Sequence, residues 1–345
     1  MSDRVREYLQ NRVEGLTEES DEVLDIAPSQ FNDFDSWSAL KLILHSATVY
    51  MYTTVISDVD FYDDFYYIDA LAGSGVSKYN EEKCFLGSPL IAAKAAQEPF
   101  TKMYFIEEDE DYAQALEDRL DYAFSERGNE FTEPEDWEVL DGDANDEIPN
   151  VIEEIRSRSS YHSGFNYLSF IDNQGLNVHW DAIEELAPNP HGDLLINLPI
   201  SQGIARNVNI ENPRELSKFY GQDVTEFDIS EASPREFMQE QYLTQLAEVG
   251  RPVQVTTRVD ANVGSYCYDV IYATRATEGG NGYERTIEYV KEFIEEVHAG
   301  DIDVILEILE GDQSTLNSHL PENREEVAEE LPDQESAPQS SLNEF

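Results

Sequence analysis

Acidic and amide side chains recur at one kind of place in this sequence, the last residues of short apolar runs. Tyr67-Ile68-Asp69 leads into Ala70-Leu71-Ala72-Gly73-Ser74-Gly75, and Lys102 to Ile106 ends in Glu107. Trp137 to Leu140 is followed by Asp141-Gly142-Asp143-Ala144-Asn145, Phe165 to Ile171 closes on Asp172-Asn173-Gln174-Gly175, and Asp193 to Asn197 closes on Leu198-Pro199. If these runs are parallel strands, the residues share the edge where open α/β sheets bind ligands. Each type then has a job. Gly73 and Gly75 let backbone approach a ligand beside Asp69. Glu107 is placed like the acid that accepts hydrogen bonds from ribose hydroxyls, and Asp143 can accept from an exocyclic adenine amine. Together they outline an adenosine pocket, with Ala72, Ser74 and Ala144 in its loops. Asp172 and Asn173, and in the same way Asn197, can accept from a substrate N–H. In a chain with 73 Asp and Glu a single strand-end acid is ordinarily a solvated charge. It is the ordered set that carries weight.

Other chemistries fail on spacing. A dinucleotide site needs G-x-G-x-x-G opening a helix, whereas Gly73 and Gly75 are followed by Lys78 and the helix signals wait for Gly87-Ser88-Pro89. No Gly-Lys-Ser/Thr loop is present, and Cys84 and Cys267 form no CxxC. The six His make no HxxxH or HExxH, so a metal site and cysteine chemistry are not expected.

The elements that must position these residues alternate. Residues 1–35 read as a charged helical lead-in and loop. From an N-cap at Ser36, the residues Trp37, Leu40, Leu44, Ala47, Met51 and Val55 form one stripe of an amphipathic helix. Ser88 reads as the N-cap of the next helix with Pro89 behind it, and further helices span Tyr112 to Ala123, Ile148 to Arg158 and Trp180 to Leu186. Five apolar runs alternating with helices predict a parallel, doubly wound sheet. Residues 204–245 are polar and helical and look like an insertion or cap. Pro252 to Arg258 and Tyr266 to Arg275, around the turn Asp260 to Gly264, predict an antiparallel hairpin at the sheet edge. A helix from Tyr283 to His298 and a short one near Ile302 to Leu309 complete an α/β domain over 36–310. In residues 311–345 nine acids face one base, Arg324, so that stretch reads as a disordered acidic tail. Trp37 and Trp180 read as core rather than stacking platforms.

At 345 residues, 40% hydrophobic and 11% aromatic, the chain has ample core material. Its 22 Lys and Arg against 73 Asp and Glu leave a net charge of −51. Such a surface repels itself in dilute buffer and suits a salt-rich cytoplasm, where at about 1 M salt the Debye length is roughly 3 Å. The fold is therefore expected to loosen in low salt. A melting temperature indifferent to potassium chloride would sink the halophile reading. No apolar run of about 18 residues and no signal core follow Met1, so a cytoplasmic protein without membrane contact is expected. The charge gives no indication of nucleic-acid binding, although salt screening keeps it open.

The string Asp69-Ala-Leu-Ala-Gly73-Ser74-Gly75 resembles the Asp-x-x-Ala-Gly-Ser-Gly form of class I S-adenosylmethionine-dependent methyltransferases, and the terminal hairpin resembles the last two strands of their seven-stranded sheet. In order and spacing, Tyr67 to Gly75, Gly87 to Ile91, Phe105 to Glu107, Gly142 to Asn145, Phe170 to Asp172 with Gly175, Leu176 and Trp180, Asp193 to Asn197 and Tyr272 to Arg275 are similar to the three-Cys-motif partner (TcmP) family over residues 35–300. The resemblance implies a Rossmann-like methyltransferase fold and S-adenosylmethionine as cofactor. Asp69 and Gly73 to Gly75 would hold its methionine end, Glu107 its ribose and Asp143 its adenine. It also implies a three-Cys-motif protein as partner. The family's Asp-Pro-Phe-Gly after the fourth strand is Asp172-Asn173-Gln174-Gly175 here, which weakens the case for base N-methylation. Arg206, in a family-like position, would pair a substrate anion or a local acid. Two readings stand: a methyltransferase with an unknown acceptor, or a non-catalytic partner subunit that keeps the fold. A nucleotide-dependent oxidoreductase would need bound flavin or nicotinamide.

Overall fold

In the computed structural model the described residues are 3–33, 35, 38–57, 62–79, 83–125, 130–158, 164–187, 192–200, 204, 213–227, 234–260, 267–276, 284–297, 301 and 304–305. The expectations for Ser36, Trp37, Arg206, the hairpin turn, most of the last short helix and the acidic tail fall outside them.

The chain opens with α1 (Asp3–Thr17) and α2 (Ser20–Leu24), then a two-residue strand β1 (Asn32–Asp33) and the long α3 (Ser38–Ile56). Strand β2 (Tyr62–Asp69) enters the main sheet, and β3 (Val76–Tyr79) and β4 (Lys83–Leu86) form a hairpin before α4 (Ser88–Ala95). Next come β5 (Lys102–Glu107), α5 (Glu110–Ala123), β6 (Trp137–Asp141), α6 (Ala144–Arg158), β7 (Gly164–Ile171), α7 (Trp180–Leu186) and β8 (Gly192–Leu198). Two helices, α8 (Arg214–Tyr220) and α9 (Pro234–Glu248), precede the hairpin β9 (Val253–Asp260) and β10 (Cys267–Thr274), and α10 (Glu284–Glu295) follows.

The main sheet has seven strands in the order β6-β5-β2-β7-β8-β10-β9. The first five are parallel, and β10 runs antiparallel between β8 and β9. This is the mostly parallel, Rossmann-like sheet with a terminal antiparallel hairpin that the sequence predicts. The strand order doubles back between β2 and β7, and at such a switch point the crossovers leave in opposite directions and open a crevice at the strands' carboxyl ends. The middle strands are apolar because helices cover both faces: all seven residues of β8 and all eight of β10 are buried.

Several local expectations change. The α3 helix is buried on nearly all sides, 14 of its 19 residues, rather than along one stripe, and Val55 is only half-buried. The reason is that α1, α4, α10 and β7 all pack on it. It is long and apolar enough by composition to cross a membrane, yet 78% of its apolar window is buried inside the protein. The lead-in is not separate from the domain, since Val5, Leu9, Val13, Leu16 and Val23 enter the same core as α3 and α4. Gly87, not Ser88, is the N-cap of α4, with Ser88 its first residue. Helix α6 starts at Ala144 rather than Ile148. A second sheet, β1-β3-β4, had no counterpart in the sequence reading. Trp180 is core as expected, 4% exposed and edge-on to Tyr242.

Candidate active site

Past the end of β2 the chain is threaded through the sheet's carboxyl edge by its own amides. The Ala70 N–H donates to the Phe170 carbonyl (3.0 Å) and the Ala72 N–H to the Ile106 carbonyl (2.9 Å). The Gly73 N–H donates to Glu107 Oε2 (2.8 Å), so the loop after β2 is pinned to both neighbouring strands. Gly73 and Gly75 have φ of 64° and 83°, a region that side chains resist. Space is short as well: a Cβ on Gly73 would lie 2.7 Å from Asn32 Oδ1, and one on Gly75 would lie 2.9 Å from Leu116 Cδ1.

A cavity of about 590 Å³ opens beside this loop, within the range of roughly 300–1,000 Å³ usual for small-molecule sites. Of the sequence-derived residues, Gly73, Glu107, Asp143, Ala144 and Asp172 line it. Glu107 accepts from Gly73 and, through Oε1, from the Asp109 N–H (2.9 Å). Burial raises its pKa, against the two N–H donors from Asp109 and Gly73. Asp143 Oδ1 accepts from the Asn145 N–H and Nδ2, both at 2.8 Å, while Oδ2 has no partner among the described residues. Asn145 in turn accepts from the His179 N–H (2.7 Å), which locks this end of the cavity. Glu215 and Lys218 of α8, in the segment expected to cap the site, reach the cavity rim.

The remaining predicted site residues lie elsewhere. Asp69 is fully buried beneath the loop rather than facing the cavity. Its Oδ2 accepts from the Tyr67 hydroxyl (3.1 Å), and that hydroxyl shares a hydrogen bond with His45 Nε2 (2.9 Å). Ala72, Ser74 and Gly75 are also buried and build the loop without lining the cavity. Asn173 is buried in the turn, where Oδ1 accepts from the Val178 N–H (3.0 Å). Asn197 does not line the cavity either; its Nδ2 donates to Asp172 Oδ1 (3.0 Å) and to the Asn173 carbonyl (2.8 Å), so it positions Asp172.

The Asp69 burial has a measurable consequence. Desolvation pushes its carboxyl up to about 7 from 3.8, with the Ser88 and Tyr67 hydroxyls and the Leu71 N–H opposing and Asp172 adding. The folded state thus holds a proton that the unfolded state releases between those two values, so stability falls as pH rises through that window. In concentrated potassium chloride the melting temperature of wild type is expected to drop between pH 4.5 and 7.5 relative to Asp69→Asn. The difference should be at least about 1 kcal/mol, roughly 2–4 °C. Parallel pH curves for the two proteins would contradict this.

Four residues that the sequence reading missed shape the site. Lys41 of α3, 7% exposed, places Nζ 2.6 and 2.5 Å from Asp172 Oδ1 and Oδ2. Burial, and then Lys41, one turn away, lower the His45 pKa to about 3. Asn32 of β1 and Tyr112 of α5 also line the cavity. Arg119 is wholly buried under the glycine loop. Lys41 did carry a signal, as the single lysine in the apolar run Leu40-Lys41-Leu42-Ile43-Leu44; Asn32 carried none.

No protein-family model and no curated protein matches this chain. Solved structures similar to it include a protein from Legionella pneumophila, at 12% identity over 73% of this chain and 91% of that one, with a TM-score of 0.45. An rRNA methylase from Streptococcus thermophilus is 13% identical over 66% of this chain and 95% of that one, with a TM-score of 0.31. An O-methyltransferase from Bacillus cereus in complex with SAH is 13% identical over 76% of this chain and 100% of that one, with a TM-score of 0.32.

Proposed function

We propose that this chain binds S-adenosylmethionine and transfers its methyl group to an acceptor, in the manner of the three-Cys-motif partner family and together with a three-Cys-motif protein. The observation that carries the reading is the convergence of Gly73, Glu107 and Asp143, from the ends of three parallel strands, on one cavity at the sheet's switch point. The fit to the cofactor rests on three features of the site. Glu107 retains lone pairs for two ribose hydroxyls beyond the N–H groups it already serves. Asp143 Oδ2, without a partner among the described residues, can accept from an adenine amine. The φ of 64° at Gly73 leaves a face without a side chain at the cavity wall. The rim acids Glu108, Asp109 and Glu215 favour a ligand that carries positive charge.

The bound cofactor supplies an electrophilic methyl group on a sulfonium. The chain supplies orientation, which by itself accounts for much of the rate in such a transfer. Asp172, held by Lys41 and Asn197, faces the acceptor and accepts a hydrogen bond from its N–H or O–H. Residues 204–245 act as the cap of the transferase domain, whose core the lead-in shares, in a salt-rich cytoplasm; a nucleic-acid acceptor requires that salt screen the acidic rim.

A second reading is favoured by one observation: Lys41 already engages both oxygens of Asp172, and a pair closed in this way suits a partner subunit that keeps the fold without transfer. Calorimetric titration of S-adenosylmethionine into the protein in concentrated potassium chloride tests the common premise. Saturable binding at one site is the expected result; no binding, with the three-Cys-motif protein present or absent, would leave only a scaffold.

A further inference from the structure

The wall of the cavity beside Gly73 is built by a segment far from the strand-end motifs. Asn32 pairs β1 with β3 in parallel register opposite Ser77, and its Oδ1 accepts from both the Ser74 N–H (3.0 Å) and the Ser74 hydroxyl (3.1 Å). A backbone N–H can only donate, so the atom facing it must be the amide oxygen, and the NH2 group is assigned by elimination. That NH2 group has no partner among the described residues. It lies 3.3 Å from the position a Cβ on Gly73 would take, so the amide spans the open face of Gly73, and both residues line the cavity.

The segment carrying Asn32 is held rigidly. The buried Arg119 guanidinium donates to the carbonyls of Ser74 (2.5 Å), Gln30 (2.7 Å), Ala27 (2.8 Å) and Val23 (3.2 Å), tying the lead-in and the glycine loop to one group. The Tyr112 hydroxyl donates to the Phe31 carbonyl (3.0 Å), and the Lys78 ammonium sits 4.3 Å from the centre of the Phe31 ring. A donor fixed in this way gives up little conformational freedom on binding.

The strand order β6-β5-β2 sets Asp143, after β6, on one side, Glu107, at the end of β5, in the middle, and Gly73, after β2 and beside Asn32, on the far side of Glu107. A nucleoside with its base at Asp143 and its ribose at Glu107 therefore points its 5′ substituent at Asn32. We propose that Asn32 Nδ2 donates to the carboxylate of the cofactor's amino-acid tail, and that Arg119 is the positioning residue that sets it there. Asn32 then distinguishes an amino-acid-bearing nucleoside from one without that tail. The inference rests on the cofactor reading above and deepens it.

Titration calorimetry in concentrated potassium chloride with S-adenosylhomocysteine and with 5′-methylthioadenosine, which lacks the amino-acid tail, separates the possibilities. For Asn32→Ala the affinity for S-adenosylhomocysteine is expected to fall by about tenfold or more, while that for 5′-methylthioadenosine changes less than about twofold. Asn32→Asp keeps an acceptor for Ser74 and so preserves the loop, but loses the donor and adds a negative charge; it should discriminate more strongly still. Equal losses for both ligands would mean that Asn32 only builds the loop, and no loss for either would mean that it makes no contact. Both results overturn the inference while leaving the cofactor reading standing. If wild type binds neither ligand, the cofactor reading fails first and the inference with it.

Discussion

Glu107→Ala is expected to weaken S-adenosylmethionine binding by roughly 100-fold or more, because the substitution removes two charge-assisted acceptors worth about 1.5–3 kcal/mol each when well formed. The loss has two sources. The ribose hydroxyls lose their carboxylate, and the Gly73 N–H loses the acceptor that fixes the loop after β2. Glu107→Gln separates them, since a single amide oxygen cannot replace both carboxylate oxygens that serve Gly73 and Asp109. It should bind with intermediate affinity. Burial raises the Glu107 pKa, and the ribose requires the ionised form as a double acceptor. Affinity should therefore begin to fall on acidification at a higher pH than an ordinary glutamate would give. Calorimetry in concentrated potassium chloride reads all three; an alanine variant that binds as tightly as wild type would remove the ribose from this position.

Arg119→Met is expected to cost about 3–5 kcal/mol of folding stability, read by urea denaturation in concentrated potassium chloride. The arginine is fully buried, and its guanidinium satisfies four backbone carbonyls that no other group replaces on substitution. Burial lowers its pKa only to about 10, so it remains charged near neutrality and its removal strips charge-assisted bonds. Arg119→Lys restores the charge but not the planar fork that reaches carbonyls on two segments, and should recover only part of the loss. A loss below about 1 kcal/mol for the methionine variant would show that the four carbonyls find other donors.

The two variants also separate what each residue contributes. Glu107 acts at the cavity and should leave the melting transition nearly in place apart from the loop. Arg119 acts beneath the cavity and should lower stability first, with binding following through Asn32.

What the sequence by itself determined is the sheet and its chemically equipped edge. Short apolar runs ended by an acid or amide mark parallel strands because strands covered on both faces must be apolar along their length, while their carboxyl ends meet solvent or ligand. Hence the positions of Glu107, Asp143 and Asp172 at the cavity follow from the pattern of their own neighbours. The hairpin β9 and β10 was legible for the same local reason. What only the tertiary structure decided is which side chains serve one another across long separations. Lys41 reaches Asp172 over 131 positions, Asn32 reaches Ser74 over 42, and Arg119 reaches Val23 over 96. None of these pairs shares a periodicity that a linear reading could use, because each is set by the packing of one element on another. Asp69 makes the same point in the opposite sense: its place at a strand end was readable, but whether that end faces the cavity or the core depended on how α3 and the glycine loop close over it.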